Sequence, residues 1–485
     1  MHTLMDHAVW QDKLMCDGWR ASEARAAVTD KATGEQIGSI GVADAESVVR
    51  AAALARAAQP AWHAMPYEDR AAIFRKAARL VEEQWEELAT WIVRECGAIR
   101  PKADVELKAA VGILYEAAGM LTEPQGLLLP SNPGRMSFAR RLPHGVVGVI
   151  APFNFPLILA IRAVAPALAT GNAVVLKPDL RTAVSGGVLI ARIFEEAGLP
   201  PGVLHMLPGG ADAGGALCTD PNIAMVAFTG STRVGRTVGE LCGRHLKKVS
   251  LELGGKNSLI VLDDADLDLA AGCAAFGAWL HQGQICMATG RILAHESIAE
   301  QLLAKLAEKA DHLPVGDPAS GRVALGPIIS DGQLRQIDAV VKDSVAAGAR
   351  LCAGGTYDQL FYRPTVLGGV KPGMRAFEEE IFGPVACVTT FRDEDEAVAL
   401  ANATEYGLSA AVISRSTGRA LALGNRLNTG LLHINDQTVA DEPHVPFGGR
   451  AASGNGGRVG GPANWEEFTQ WQWVTVKDTP PAYPF

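Results

Sequence analysis

The stretch Gly145–Pro178, GVVGVIAPFNFPLILAIRAVAPALATGNAVVLKP, decides the fold class. Val146–Ala151 is a β-branched run of strand length, Leu157–Ala169 reads as a helix, and Ala173–Leu176 is strand-like again. Strand, helix and strand in that order form a βαβ unit, whose two strands lie parallel. The rhythm continues downstream. Ala183–Ala197 reads as a helix stopped by Gly198 and Pro200, and Val203–Met206, Met225–Phe228 and Val249–Leu253 read as strands. Helical segments at Ala211–Cys218 and Thr232–Cys242 separate them. Short apolar strands alternating with helices indicate an α/β protein with a parallel sheet covered on both faces.

A second alternation follows. Ser258–Leu262 reads as strand and Leu267–Leu280 as helix, with further helices near Ile298–Leu313 and Leu334–Ala347. Later strands are expected at Val385–Phe391, Ala410–Ser414 and Gly430–Ile434. The Leu-Gly-Gly turn between Glu252 and Lys256 is the candidate hinge between two α/β domains. Upstream, Ala43–Cys96 has helical periodicity. The tail Phe468–Val476 (FTQWQWVTV) alternates and carries two Trp. So apolar an edge strand invites aggregation unless something pairs with it, so we expect it in an oligomer interface, the alternative being packing on its own subunit.

A chain of 485 residues, 48% of them apolar, suits two or three domains with large cores. The net charge of −9, without a basic run, argues against nucleic acid as a partner. The first ten residues lack the apolar core of a signal peptide. Gly145–Leu176 is the most apolar region, but Asn154, Pro156, Arg162, Pro166 and Asn172 interrupt it too often for a membrane helix. Eight scattered cysteines without a C-x-x-C pair suggest neither a metal site nor a disulfide framework, and fit the cytoplasm.

Three motifs can carry chemistry. Gly230-Ser-Thr-Arg-Val-Gly235-Arg-Thr nearly satisfies G-x-x-x-x-G-K-[ST], after a strand and opening a helix. Arg236 replaces the Lys, which weakens an NTPase reading, yet free N–H groups at a helix start still suit a pyrophosphate. A plain strand-to-helix turn would look the same. Cys286 lies in HQGQICMATGR (His281–Arg291), where Gly283 and Gly290 allow close backbone approach. Most cysteines are only small buried hydrophobes. Glu252 ends an apolar strand in VSLELGGKN (Val249–Asn257), and is either a general base with a raised pKa or a carboxylate paired with Lys256 or another cation.

Together these segments resemble the aldehyde dehydrogenase superfamily, from about Ala43 to the tail. PFNFPL (Pro152–Leu157), GNAVVLKP (Gly171–Pro178), FTGSTRVGR (Phe228–Arg236), LELGGKN (Leu251–Asn257), GQICMATGR (Gly283–Arg291), EEIFGPV (Glu379–Val385) and PFGG (Pro446–Gly449) stand in the family's order. The resemblance implies a Rossmann-like NAD(P)-binding domain (1–122 and 144–252), an α/β catalytic domain (253–455) and a small β oligomerisation element (123–143 and 466–485). It implies Cys286 as nucleophile, Asn154 as oxyanion donor and Glu252 as base for thioester hydrolysis. Ile150, Pro152, Phe153, Lys177, Gly210, Gly230, Ser231, Glu380 and Phe382 would hold the cofactor. Leucine at position 180 replaces the Glu that many members place there for the ribose hydroxyls, with Arg181 beside it. That leaves NADP open besides NAD, unless Asp179 or the backbone takes the hydroxyls and NAD stays preferred.

The wider segments Leu142–Asp179 and His433–Gly449 look like the benzaldehyde and vanillin dehydrogenase branch, so an aromatic aldehyde is expected, with aliphatic or semialdehyde substrates as the alternative. Leu159, Arg162, Ile285 and Met287 would line the substrate tunnel. Arg162 would meet a phenolic oxygen or stack on an aryl ring, or else pair with a carboxylate elsewhere. Glu252 speaks against a CoA-acylating relative, and no marked His base partners Cys286 as a non-redox cysteine hydrolase would need. A homodimer or homotetramer is expected.

Overall fold

The structure, a computed structural model, describes residues 3–485; residues 1–2, which open the first expected domain range, lie outside the described residues. Two seven-stranded sheets dominate it. The first has the order Lys248–Glu252, Met225–Thr229, Val146–Ile150, Ala173–Lys177, Leu204–Met206, Lys13–Met15 and Trp19–Ala21. Its first five strands are parallel. The last two are antiparallel additions from the N-terminal region, where no strand is legible in the sequence.

The chain winds from Val146–Ile150 outward to Ala173–Lys177 and Leu204–Met206. It then returns to lay Met225–Thr229 on the other side of Val146–Ile150. The strand order therefore reverses there, and a crevice opens at the carboxyl ends of these strands, where α/β sheets bind ligands. Val146–Ile150 is buried throughout, and the helix Pro156–Ala169 is buried along almost its whole length.

The second sheet runs Arg350–Ala353, Thr365–Gly368, Val385–Phe391, Thr289–His295, Asn257–Val261, Ser409–Ile413 and Leu431–Ile434, parallel except at its first pair. Thr289–His295, a central strand, follows directly on Cys286 and was not expected as a strand. Leu253–Lys256 joins the two sheets without regular structure.

The expected single helix Ala183–Ala197 is a correction. It divides into a π turn, Val184–Val188, and an α-helix, Leu189–Ala197. The buried Glu95 carboxylate accepts from the Val184 and Ser185 N–H groups, which anchors the irregular turn.

At the C-terminus, Thr469–Val476 pairs antiparallel with Met136–Pro143 of its own chain, from Thr469↔Pro143 to Val476↔Met136, and Gly126–Leu128 completes the sheet. The tail is thus packed on its own subunit along one edge. Trp471, Trp473 and Leu128 on this sheet stay exposed. Among the described residues, no helix is long and apolar enough to cross a membrane.

Candidate active site

The crevice between the sheets is a cleft of about 520 Å³, the size range of cofactor and small-molecule sites. Ile150, Pro152, Phe153, Asn154, Leu159, Lys177, Gly230, Ser231, Glu252, Cys286, Glu380 and Phe382 all line it. Sequence reasoning had not singled out Thr229, Arg233, Val234, Gln333 and Gln336, which line it too. Gly210, Ile285 and Met287 do not. Gly210 caps the helix Ala211–Thr219, and Ile285 and Met287 are buried in a small apolar cluster with Phe447 and Leu408.

Cys286 is delivered by a strained turn. His281, Gln282 and Gly283 have φ of 47°, 57° and 67°, three consecutive residues in the left-handed region. Position 283 must be glycine, because a Cβ there would lie 2.1 Å from the Gly383 carbonyl oxygen. Surrounding bonds hold the turn: Gln282 Nε2 donates to the Gly97 and Pro327 carbonyls, and Gln284 Oε1 accepts from the Ile329 N–H. Asn257 Nδ2 donates to the Cys286 carbonyl at 2.8 Å. The Cys286 N–H, by contrast, has no acceptor among the described residues. Asn154 Nδ2 donates to the Gln284 carbonyl at 2.9 Å, which ties the Asn154 loop to the Cys286 segment and leaves its second N–H to face the cleft.

Burial pushes the Cys286 thiol up to about 12, and the carboxylates of Glu380, Glu252 and Asp441 act in the same direction. Burial likewise raises the Glu252 carboxyl well above its ordinary value, against the pull of Arg458 and Arg162. Neither Glu252 oxygen has a hydrogen-bond partner, and neither does Lys256 Nζ, so the sequence alternative of a Glu252–Lys256 pair is not what the chain forms. Glu380 is raised by burial to about 7 and accepts from the Gly255 N–H at 3.0 Å. A Cβ at position 254 would lie 2.3 Å from its other oxygen, so Gly254 keeps that carboxylate in place.

Phe382 sits at φ 53°, its ring edge-on to Phe153 with centroids 5.9 Å apart. Arg181 is not free. It bonds both oxygens of Asp179, at 2.8 and 2.7 Å, and its Cζ lies 4.1 Å from the Phe153 ring centroid. Burial opposes ionisation of Asp179, but the bonds to Arg181 hold its carboxyl below the ordinary value. Ser231 N-caps the helix Thr232–Arg244.

Next to the cleft a cavity of about 30 Å³ is lined by Leu159, Arg162, Phe228, Glu252, Cys286, Phe447 and Val459, among others. Arg162 Nη2 donates to Asp441 at 2.5 Å, and its Cζ stacks 4.8 Å from the Phe447 ring centroid. The carboxylate partner weighed from sequence therefore exists. Arg162 Nε and Nη1 are nonetheless buried and unpartnered. Asp441, Phe447 and Val459 were not singled out as site residues; Asp441 and Phe447 lie in the branch-like segment His433–Gly449, and Phe447 also in PFGG.

The model of the aldehyde dehydrogenase family matches residues 19–474. The chain belongs to the aldehyde dehydrogenase family. Among its dehydrogenase relatives, benzaldehyde dehydrogenase [NAD(+)] of Pseudomonas putida is 53% identical over the whole of both chains. Vanillin dehydrogenase of an Amycolatopsis species is also 53% identical over the whole of both. The crystal structure of a salicylaldehyde dehydrogenase from Pseudomonas putida G7 complexed with salicylaldehyde superposes with a TM-score of 0.94 at 35% identity, over 98% of this chain and 99% of that one. The two-sheet architecture is thus the aldehyde dehydrogenase fold, and the chain is an oxidoreductase of that family.

Proposed function

We propose that this protein oxidises aromatic aldehydes of the benzaldehyde and vanillin type to carboxylic acids, with NAD as the preferred cofactor. The observation that carries the substrate class is the cavity beside Cys286 and Glu252, walled by Leu159, Phe447 and Val459 with the Arg162 guanidinium on one side. At about 30 Å³ the cavity is smaller than an aryl ring, so the ring would sit where its apolar walls open onto the larger cleft at Leu159 and Cys286. The two unpartnered Arg162 nitrogens suit a phenolic or methoxy oxygen. The names of the 53% identical relatives agree with this substrate class.

The donor set of the cleft fits a nicotinamide dinucleotide. Lys177 offers an ammonium, the Ser231 helix start offers free N–H groups for a pyrophosphate, and Glu380 keeps carboxylate capacity for ribose hydroxyls. When bound, the cofactor supplies the hydride acceptor and a positive charge that offsets the carboxylates around Cys286. Asp179 already engages Arg181 through both oxygens, which holds that guanidinium back from a 2′-phosphate and favours NAD over NADP.

The residues divide the work. Cys286 gives up its thiol proton to water in the cleft, and the thiolate attacks the carbonyl carbon to form a C–S bond while the carbonyl electron pair moves to oxygen. The Asn154 amide and the Cys286 N–H donate to that oxygen. After oxidation to the thioester, Glu252 removes a proton from water as the water attacks, and the C–S bond breaks to return the thiolate. Burial, which raises the affinity of the Glu252 carboxylate for a proton, strengthens it as that base.

On domain organisation, we read the first sheet as cofactor-binding and the second as catalytic. The sheet of Thr469–Val476, with its free outer edge and exposed Trp471 and Trp473, is read as pairing with a second copy in a homodimer or tetramer. Free cysteines throughout fit a reducing cytoplasm.

The test is reduction of NAD or NADP followed by absorbance with benzaldehyde, vanillin and hexanal, with Cys286→Ala alongside. Turnover by the native protein and none by the variant is expected, with benzaldehyde and vanillin ahead of hexanal and NAD ahead of NADP. Faster oxidation of hexanal would overturn the aromatic assignment while keeping the chemistry.

A further inference from the structure

Behind the Asn154 loop lies a buried charged cluster that the chemistry above does not use. Lys102 and Glu106 stand one turn apart on the helix Arg100–Met120, form an ion pair, and are 2% and 0% exposed. A buried ion pair contributes little net stability, because desolvation offsets most of the attraction. What the pair touches supplies a different reason for it. Lys102 Nζ donates to the main-chain carbonyl of Asn154 at 2.8 Å and lies 4.3 Å from the Phe155 ring centroid. The second oxygen of Glu106 accepts from the Leu157 N–H at 3.0 Å and the Ile158 N–H at 3.2 Å. The helix Pro156–Ala169 has no side-chain cap of its own, so Glu106 caps it from another helix. Cys96 Sγ completes the cradle, 3.4 Å from the carbonyl oxygens of Phe153 and Asn154 and 3.6 Å from His281 Nε2.

The segment that carries Asn154 has no regular structure between the strand ending at Ile150 and the helix starting at Pro156. It cannot fix its own geometry. An oxyanion donor helps only if it lies about 2.7–3.1 Å from where the charge develops, and a displacement near 1 Å can cost about 10² in rate. We propose that Lys102 and Glu106 are positioning residues, which hold the Asn154 main chain so that its amide meets the aldehyde oxygen as the Cys286 C–S bond forms. This rests on Asn154 being the oxyanion donor. Lys102 itself does not touch the substrate; it acts through the Asn154 carbonyl.

The test is a double-mutant cycle on kcat/KM for benzaldehyde. Lys102→Met with Glu106→Gln removes both charges together, and the Gln still offers an acceptor to the Leu157 and Ile158 N–H groups. We expect a loss of about ten- to hundredfold, with the Kd for NAD unchanged within about twofold. Added to Asn154→Ala, the same pair of changes is expected to cost less than about twofold more, because the group it positions is gone. An equal loss in both backgrounds, or no loss in the native background, overturns the proposal. An Asn154→Ala variant with full activity would instead remove the oxyanion assignment on which it rests. A second variant, Lys102→Gln with Glu106→Gln, is equally uncharged but keeps a donor for the Asn154 carbonyl. Activity within about threefold of native supports the proposal, and a loss as large as that of Asn154→Ala overturns it, whether or not the Met version folds.

Discussion

The wide cleft and the narrow cavity share a wall of Leu159, Phe228, Thr229, Glu252, Leu253 and Cys286, yet they are built differently. The cleft takes Ile150, Lys177, Thr229 and Glu252 from the ends of four parallel strands, so sheet geometry fixes it. The cavity takes Asp441, through Arg162, together with Phe447 and Val459 from irregular chain after the second sheet. The cofactor cleft is thus set largely by strand ends, whereas the walls we propose to discriminate among aldehydes include loops that tolerate change.

That contrast can be tested by asking which kinetic constant each wall controls. The shared wall should show the largest effects. Cys286→Ala should lower kcat by at least about 10⁴-fold while leaving the Kd for NAD nearly unchanged. Glu252→Gln should lower steady-state turnover by about 10²–10³ yet preserve a first burst of reduced cofactor in stopped flow, because only deacylation needs the base. Loss of the burst would move Glu252 into an earlier step. Purely cleft-side changes come next: Lys177→Met should raise the KM for NAD about tenfold and leave the aldehyde KM alone.

On the cavity side, Arg162→Met should lower kcat/KM for vanillin relative to hexanal by about tenfold. Unchanged relative rates for benzaldehyde, vanillin and hexanal would return Arg162 to a purely structural role beside Asp441. The smallest effect expected is one of pH. The Glu380 carboxyl ordinarily loses its proton near 4.5 but holds it to about 7 in the fold. The folded state therefore binds more protons than the unfolded chain within that window, and stability falls as pH rises through it. Denaturation midpoints between pH 4.5 and 7 should show a shallower decline in Glu380→Gln.

The same division explains what was legible in the sequence. Asn154, Lys177, Gly230 and Glu252 lie at or just beyond strands whose β-branched runs announce themselves, and each falls within a short recognisable segment. Arg162 was visible as a charge on an apolar helix, but its partner lies 279 residues away and no local pattern links them. Lys102 and Glu106 were not singled out from the sequence, since an i,i+4 charge pair does not reveal that a neighbouring helix covers it. The helix break at Val184–Val188 was hidden for a similar reason: the buried Glu95 that anchors it is 89 residues upstream.

The raised proton affinity of Cys286 has a consequence outside the catalytic cycle. Peroxides and electrophiles react with thiolates, and burial beside the Glu380, Glu252 and Asp441 carboxylates disfavours that form of Cys286. Positive charge entering the cleft would act in the opposite direction to those carboxylates.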